Sequence, residues 1–370
     1  MNIPLIQNRK KFIYKIKQKN EDFKVTEIIP TPQQKNSGSY AYCRLIKFGV
    51  STTDAINILS KKFRISQGQV SVAGMKDEEA IAIQFLSFYK YNPSKIDIHI
   101  KDGEWLRLEK PIYSGTEPIK KGYLLGNVFE IAIRNMPKWY VNKIEYQIRK
   151  YYYVKDYVIN YFDQQRFGRP NSLFITHKIG EMIIKNKYEK AAELLYKDLR
   201  YRINKGGGLS PNDNNFLSYF KNGKAKDALN ILNKRDVAFF MASYSSMVWN
   251  KEVSDILKNI GRHRKLFDNN KHPCSKFVVP DDIKNLSMPI VHEFHDYYYD
   301  STNDCIKDRI TNRSIVNEVK FFFSLPQKDD LNHNKFKLSL TFYLPSGCYA
   351  TCAVQQLLRN LIQRHKHGEK

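Results

Sequence analysis

The chain has 370 residues, 61 of them Lys or Arg against 37 Asp or Glu, and carries a formal net charge of +24. Its 42% hydrophobic residues, including 24 Tyr and 22 Phe, suffice for two domains of ordinary size, each with its own core. No run approaches the ~20 consecutive apolar residues of a membrane-spanning helix, and the basic surplus predicts attraction to a polyanion, with nucleic acid well ahead of an acidic membrane surface.

The opening segment, Met1 to Phe12, lacks the apolar stretch and small-residue cleavage site of a signal peptide. No basic amphipathic helix or lipidation signal argues for a membrane. The expectation is a soluble, cytoplasmic protein, and nothing in the sequence asks for an obligate oligomer, so it reads as a monomer.

In chain order, Phe12 to Lys17 and Asp22 to Ile28 alternate as strands do, with Phe23 and Val25 on one face. Pro30 to Ser39 reads as a loop and Tyr40 to Ile46 as another strand. A helix opens at Ser51, where the hydroxyls at 51–53 offer a cap. Asp54 suits its first turn, and Ala55, Ile56, Leu59 and Phe63 recur at helical spacing. The alternating stretch at Val70 ends in a turn, Gly74 to Asp77, and further strands follow at 81–87, 96–100 and 127–133.

From Pro137 the character changes. Lys138 to Lys155 carries apolar residues at helical spacing, Asn160 to Gly168 interrupts, and residues 175–260 are mostly helical with breaks at Gly206–Gly208 and Pro211. The stretch 260–320 is irregular and rich in His, Asp and Asn. Lys335 to Leu344 then alternates without a break, Phe336, Leu338, Leu340, Phe342 and Leu344 sharing one face. Pro345 to Gly347 turns the chain into a last helix, Ala350 to Gln363, with a basic tail. Sheet, helices, then sheet again fits a helical insert within a sheet domain, with two sequential domains as the alternative.

Five cysteines, odd in number and scattered, form no disulfide framework, and the four-residue spacing of Cys348 and Cys352 fits a helical face better than a zinc knuckle. The nine histidines form no metalloenzyme pair. His292-Glu-Phe-His295, set among aromatics near Pro289, reads as a strand or turn, so no metal is expected. Dinucleotide-binding and P-loop glycine signatures are absent, which disfavours a methyltransferase or an ATPase.

Four segments concentrate chemistry. Ile16 to Glu27 combines Lys17, Phe23 and acids; Ala73 to Gln84 holds Asp77 beside a lysine at a strand end; Asn160 to Gly168 packs an amide with Phe162, Arg166 and Phe167; Thr341 to Thr351 sets Phe342 before a Leu-Pro-Ser-Gly turn. Each alone also reads as an ordinary edge strand, solvated turn, helix cap or core strand. Together, one uncoupled carboxylate with aromatics, an amide and cations suits a pocket that stacks a flat base, reads its edge and attacks it. Asp77 is the candidate for the chemistry.

In this order the segments resemble the TruD family of tRNA pseudouridine synthases. Glu21-Asp-Phe-Lys-Val-Thr-Glu27 is similar to the family's Glu-Asp-Phe-x-Val-x-Glu, and Ala73-Gly-Met-Lys-Asp77, followed by Ala80 and Gln84, resembles its catalytic motif. Asn160-Tyr-Phe-Asp-Gln-Gln-Arg-Phe-Gly168 resembles Asn-x-Phe-Gly-x-Gln-Arg-Phe-Gly. Phe342-Tyr-Leu-Pro-Ser-Gly-Cys-Tyr-Ala-Thr351 resembles Phe-x-Leu-Pro-x-Gly-Ser-Tyr-Ala-Thr. The chain departs from the pattern at Asp163 for a glycine, Ala82 for a common threonine, and Cys348 for a serine. Its last helix, Val354 to Asn360, lacks the usual Arg-Glu pair. The stretch 175–320 carries the weakest resemblance.

The resemblance implies an α/β (α+β) fold: the pseudouridine-synthase mixed, mostly antiparallel sheet flanked by helices, with a largely helical α/β second domain inserted. The domains would be residues 1–169, an inserted TRUD-type domain at 170–320, and 321–370 completing the first. It implies isomerisation of a tRNA uridine, uridine 13 of the D-arm region, through Asp77 and without cofactor. Phe23 and Phe342 match substrate-pocket aromatics, Asn160 the amide that reads the base, and Lys17 and Phe162 supporting positions. The other expectations are a catalytically silent structured-RNA or ribosome-binding protein of the same fold, and a different base-directed enzyme such as a glycosylase or nuclease.

Overall fold

A computed structural model describes the chain except residues 1, 8–9, 31–37, 102, 152, 222–228, 230–231, 233, 261, 267–273, 282, 284–289, 301–304 and 365–370. The loop expected at Pro30–Ser39 and the basic tail therefore lie largely outside the described residues. The strands of the first part are β1 (Asn2–Gln7), β2 (Lys10–Lys15), β3 (Phe23–Ile28), β4 (Tyr40–Phe48), β5 (Val70–Val72), β6 (Ile81–Tyr89), β7 (Ile96–Lys101), β8 (Glu104–Leu108), β9 (Tyr113–Gly115) and β10 (Gly126–Met136), of which β1, β8 and β9 were not expected from the sequence. Helix α1 (Thr52–Phe63) lies between β4 and β5. The Ser51 side chain caps it by accepting the Asp54 N–H at 3.0 Å, and Arg64 ends it in the left-handed conformation.

Helix α2 (Lys138–Lys150) is shorter than the helical spacing to Lys155 predicts, because the chain turns back as strand β11 (Tyr153–Ile159). The same residues also alternate: Val154, Asp156 and Val158 are buried while Tyr153 and Lys155 are exposed. Among the described residues five further helices follow: α3 (Thr176–Ile184), α4 (Tyr188–Asn204), α5 (Pro211–Lys221), α6 (Lys234–Lys258) and α7 (Ala350–Arg364). Pro211, expected to break a helix, instead opens α5, where its missing N–H costs nothing.

The stretch 260–320 holds more order than its composition announces. Short strands β12 (His263–Lys265) and β13 (Val278–Pro280) pair, and β14 (Val291–Asp300) and β15 (Cys305–Ser314) form a ladder in register from Val291 opposite Ser314 to Asp300 opposite Cys305. His292 and His295 lie on β14. Both strands are largely solvated, so no apolar alternation marks them in the sequence. Strands β16 (Val316–Phe323), β17 (Gln327–Lys328) and β18 (Phe336–Pro345) follow.

The main sheet runs in the order β11-β16-β18-β10-β3-β6-β4-β8-β7. It is mixed: β3 lies parallel to β6, while β10 pairs antiparallel with both β3 and β18, and β4 with β6 and β8. Strand β18 shows the sequence rule at work. Leu338, Leu340, Phe342 and Leu344 are each at most 2% exposed and alternate with solvated residues. Burying each such side chain stabilises the fold by roughly 1.5–3 kcal/mol. A second apolar layer, Leu45, Leu86, Phe88 and Leu106 of the sheet with Ala55 and Leu59 of α1, packs the helix onto it.

The chain divides into two compact units. One comprises Met1–Asp156, Glu318–Ala350 and Leu361–Lys370; the other comprises Tyr157–Asn317 and Thr351–Asn360. The backbone thus leaves the first unit within β11 and returns within β16. The second unit has its own core of Ile179, Leu195, Leu199, Phe216 and Met241 from α3 to α6. Gly180 makes its helix crossing possible, since a Cβ there would lie 2.0 Å from the Phe240 carbonyl oxygen.

Candidate active site

In the first unit the turn after β5 is held from three directions. The Lys76 N–H donates to Thr52 Oγ1 at 3.0 Å, the Gly49 N–H donates to the Glu78 carbonyl at 2.9 Å, and the Gly122 N–H donates to the Ala73 carbonyl at 2.9 Å. Thr52 in turn donates to Gln84 Oε1 at 3.0 Å. The Asp77 carboxylate turns back on its own loop, Oδ1 accepting the Glu79 N–H at 3.0 Å. Its other oxygen, Oδ2, accepts from Lys17 Nζ at 2.8 Å.

Asp77 keeps 36% of its side chain exposed and Lys17 only 16%. Burial pushes the Asp77 carboxyl up. The Lys17 ammonium, the Glu79 N–H and the charge of Lys47 together outweigh that and hold the group below the usual carboxylate range. The acid is therefore ionised throughout neutral pH.

Lys17 also joins the acid to an aromatic row. Its Nζ stands 4.5 Å over the Phe23 ring. Phe23 meets Phe129 edge to face at 6.1 Å, Phe129 stacks on Phe342 at 5.5 Å, and Phe342 tilts against Phe321 at 4.9 Å. The register produces this row, since Phe129 on β10 lies opposite Phe342 on β18. Asp77, Lys17, Phe23 and Phe342 are thus linked contact by contact, although Phe23, Phe129 and Phe342 are all buried and Phe342 reaches Phe23 only through Phe129.

Lys17 adopts φ 57°, the left-handed region an L-residue seldom occupies. What holds it there is Asp22, whose Oδ2 accepts the Gln18 and Lys19 N–H groups at 3.0 and 2.9 Å. Asp22 is fixed by the buried Arg134 guanidinium at 2.8 Å, which also reaches Asp329 at 2.9 Å and Asp330 at 2.7 Å. Beside the turn, Lys76 Nζ donates to Asn127 Oδ1 at 2.7 Å and lies 3.3 Å from the buried Glu27 carboxylate. Glu27 Oε2 accepts the Phe85 N–H at 2.9 Å.

Asn160 and Phe162 belong to the second unit. The Asn160 amide is engaged at both ends there: Arg313 Nη2 donates to Oδ1 at 2.9 Å, and Nδ2 donates to the Ser314 carbonyl at 3.0 Å. Phe162 stacks on Phe294 at 5.8 Å, with the Arg313 guanidinium 4.2 Å over its ring. Helix α6 grips the backbone of this segment. Trp249 Nε1 donates to the Asn160 carbonyl at 2.9 Å, and the Asn250 amide bonds both the N–H and the C=O of Phe162 at 2.8 Å.

Two of the departures have local explanations. Asp163 sits at φ −90°, which demands no glycine, and caps the following 3₁₀ turn by accepting the Gln164 N–H at 2.7 Å while Thr351 donates to its other oxygen. Gln356 accepts the Ile159 N–H at 2.8 Å and donates to the Ile159 carbonyl at 3.0 Å, both buried groups. Ala82 is buried opposite Lys47 and Val25 on β6, and Cys348 is half-buried before α7; nothing in the structure explains either change.

Sequence reading did not single out Lys47, Arg134, Trp249, Asn250 or Arg313. For Lys47 a signal existed: on β4 the buried phase runs Ala41, Cys43, Leu45, Lys47, so a lysine occupies an apolar position. Glu27 after Phe23 and Val25 carries the same mark. Among the described residues, no group of three His, Cys, Asp or Glu side chains is arranged to hold a metal ion. Among the same residues, no helix is long and apolar enough to cross a membrane.

Residues 5–204, more than half of the chain, match the family of tRNA pseudouridine synthase D (TruD). The chain is 28% identical to the probable tRNA pseudouridine synthase D 1 of Methanococcus maripaludis, over 94% of its own length and 100% of the relative's. It is also 28% identical to the probable tRNA pseudouridine synthase D of Nanoarchaeum equitans, over 86% of this chain and 87% of that one. The crystal structure of the putative TruD of Methanosarcina mazei has the same fold, with a TM-score of 0.56 at 22% identity over 94% of this chain and 93% of that chain. The chain belongs to the TruD family of tRNA pseudouridine synthases.

Proposed function

We propose that this protein converts a uridine of tRNA to pseudouridine, with Asp77 as the catalytic carboxylate. The observation that carries this reading is the Asp77–Lys17–Phe23 arrangement: an ionised, partly exposed acid fixed at 2.8 Å by a lysine that also covers an aromatic face. The reaction is an isomerisation. The bond from the sugar C1′ to N1 of the uracil breaks, the base turns, C1′ bonds to C5, and the proton lost from C5 is balanced by one gained at N1. Substrate and product have the same composition, so the chemistry consumes no cosubstrate, and the reading includes no cofactor.

In this reading Asp77 supplies the negative charge that opens the glycosidic bond, and Lys17 keeps it ionised and aimed. A duplex-embedded uridine must be flipped out, which costs a few kcal/mol; aromatic stacking at roughly 1–3 kcal/mol per base offsets that. In this reading the buried Phe23 ring presents its face once the Lys17 ammonium over it moves aside for the base, and Phe342 stiffens it through Phe129. Asn160 and Phe162 are carried over from the family likeness alone, as the amide that reads the base edge and a supporting ring. Uridine 13 of the D-arm is the target carried over from the family likeness, as are an inserted domain at 170–320 and a cytoplasmic, monomeric enzyme.

The test uses an unmodified tRNA transcript and chemical mapping of pseudouridine. Wild type is expected to modify one D-arm uridine, and Asp77→Ala to fall to background while its affinity for the transcript stays within a few-fold. Modification by Asp77→Ala at the wild-type rate overturns the site. Wild type that binds RNA but forms no pseudouridine overturns the enzyme reading in favour of a binding protein.

A further inference from the structure

Lys47 lies at the end of β4, fully buried, and its Nζ has three carbonyl acceptors. One is its own strand's continuation, the Val50 oxygen at 2.7 Å. The other two are the carbonyls of Lys76 at 3.3 Å and Asp77 at 3.1 Å. A buried ammonium is expensive to desolvate, and a sheet position flanked by Ala82 on β6 and Leu106 on β8 would favour an apolar residue. The lysine instead grips the backbone on both sides of the peptide that carries the acid.

We propose that Lys47 is a positioning residue of the pseudouridine synthase reaction, its buried ammonium clamping the Lys76 and Asp77 carbonyls so that the Asp77 carboxylate is held toward its substrate. This rests on Asp77 being the catalytic acid. The side-chain contacts of Asp77 fix where its oxygens end, at Lys17 and the Glu79 N–H. Lys47 fixes where the residue begins. Misplacing a reacting group by an ångström costs on the order of 100-fold in rate, so a clamp on the peptide itself acts on turnover more than on RNA affinity.

The clamp carries its own pH dependence. Burial lowers the Lys47 ammonium to about 8, opposed by the nearby charges of Glu78 and Asp77 and reinforced by that of Lys76. The paired positions on β6 and β8 hold Ala82 and Leu106, and α1 begins with the uncharged Thr52, so none of these opposes the shift. In the unfolded chain the same lysine titrates near 10.5. Between these values the unfolded state binds more protons, so Lys47 makes the fold more stable as pH rises through that window. The clamp weakens over the same window. Activity and stability should therefore move in opposite directions above pH ~8, which a purely structural lysine would not produce.

The test compares single-turnover pseudouridine formation and RNA affinity from pH 6 to 10 for wild type, Lys47→Met and Lys47→Arg, with Asp77→Ala alongside. Lys47→Met is expected to lower the rate 10- to 100-fold at pH 7, leave affinity within about threefold, and lose the alkaline fall near pH 8. Lys47→Arg, which keeps its charge, should regain rate over Lys47→Met and move the fall to higher pH. A Lys47→Met protein as fast as wild type, or with the same alkaline fall, overturns the proposal. If neither variant folds, wild type decides: a rate that falls through pH 8–9 while thermal stability does not supports the clamp, and a flat rate overturns it. Residual full activity in Asp77→Ala would instead condemn the underlying site assignment.

Discussion

Asp77 is poised by two opposed effects, and their signs determine what its neighbours do. Burial, the largest single influence, raises its pKa; the Lys17 ammonium at 2.8 Å, the Glu79 N–H and the charge of Lys47 together lower it by more. A carboxyl depressed in this way stabilises the fold above its unfolded pKa, and that contribution is lost as pH falls through the folded one. Lys17→Met removes the larger lowering influence and leaves the burial. The acid-side fall in modification rate is then expected to move to higher pH than in wild type, and the fold to lose the stability the pair gives at neutral pH. A pH–rate series on the transcript checks this, and an unmoved acid limb would show that Lys17 does not set the charge of Asp77. The acid was legible because a lysine-acid turn ends a strand. The family likeness names Lys17 as a supporting position, but its pairing with Asp77 across 60 residues was not legible, since spacing carries no information about which lysine a fold delivers.

The loops joining strands matter most for the candidate acid, because Asp77 and Lys17 both stand in such loops and are oriented from elsewhere. The segment leading into β3 shows the cost. Lys17 takes a left-handed backbone, Asp22 bonds the two N–H groups after it, and Arg134 on β10 gathers Asp22 with Asp329 and Asp330. Arg134, Asp22 and Asp329 are at most 5% exposed at their side chains. Arg134→Met would leave two buried carboxylates without their cation, a loss of about 3–5 kcal/mol. The expected outcome is a lower denaturation midpoint with a rate defect resembling that of Lys17→Met; unchanged stability would contradict it. Alternation made β3, β4, β6, β7, β10 and above all β18 readable, β18 because one face is core and the other solvent, while β1, β8, β9, β16 and β17 were not singled out. The β14–β15 ladder escaped for the opposite reason, having little buried face to write a period into the sequence. Helix α2 was overread to Lys155 because residues 153–159 satisfy more than one periodicity, and strand pairing beside β16 decides between them.

At the scale of the whole molecule, the +24 charge has the largest reach, because it acts on a polyanion before any pocket does. A general compositional taste for lysine and an RNA-binding surface make different predictions about salt. Part of the surplus is tied up: Lys17, Lys47, Lys76 and Arg134 are all buried or half-buried and serve the site's internal electrostatics. What remains on the surface must release counterions if it contacts phosphates. About six such contacts would lower affinity on the order of 10³-fold between about 50 and 200 mM salt. A titration of unmodified tRNA at several salt concentrations is expected to give a steep linear fall in log affinity, and the same slope for Asp77→Ala, because the proposed role of that residue is in turnover and a carboxylate makes no favourable phosphate contact. A slope near zero would mean that the charge is composition alone and that recognition rests on the pocket. An equal slope with lost turnover would separate the two jobs of the chain: a diffuse cationic surface that collects RNA, and one carboxylate, set by its neighbours, that reacts with it.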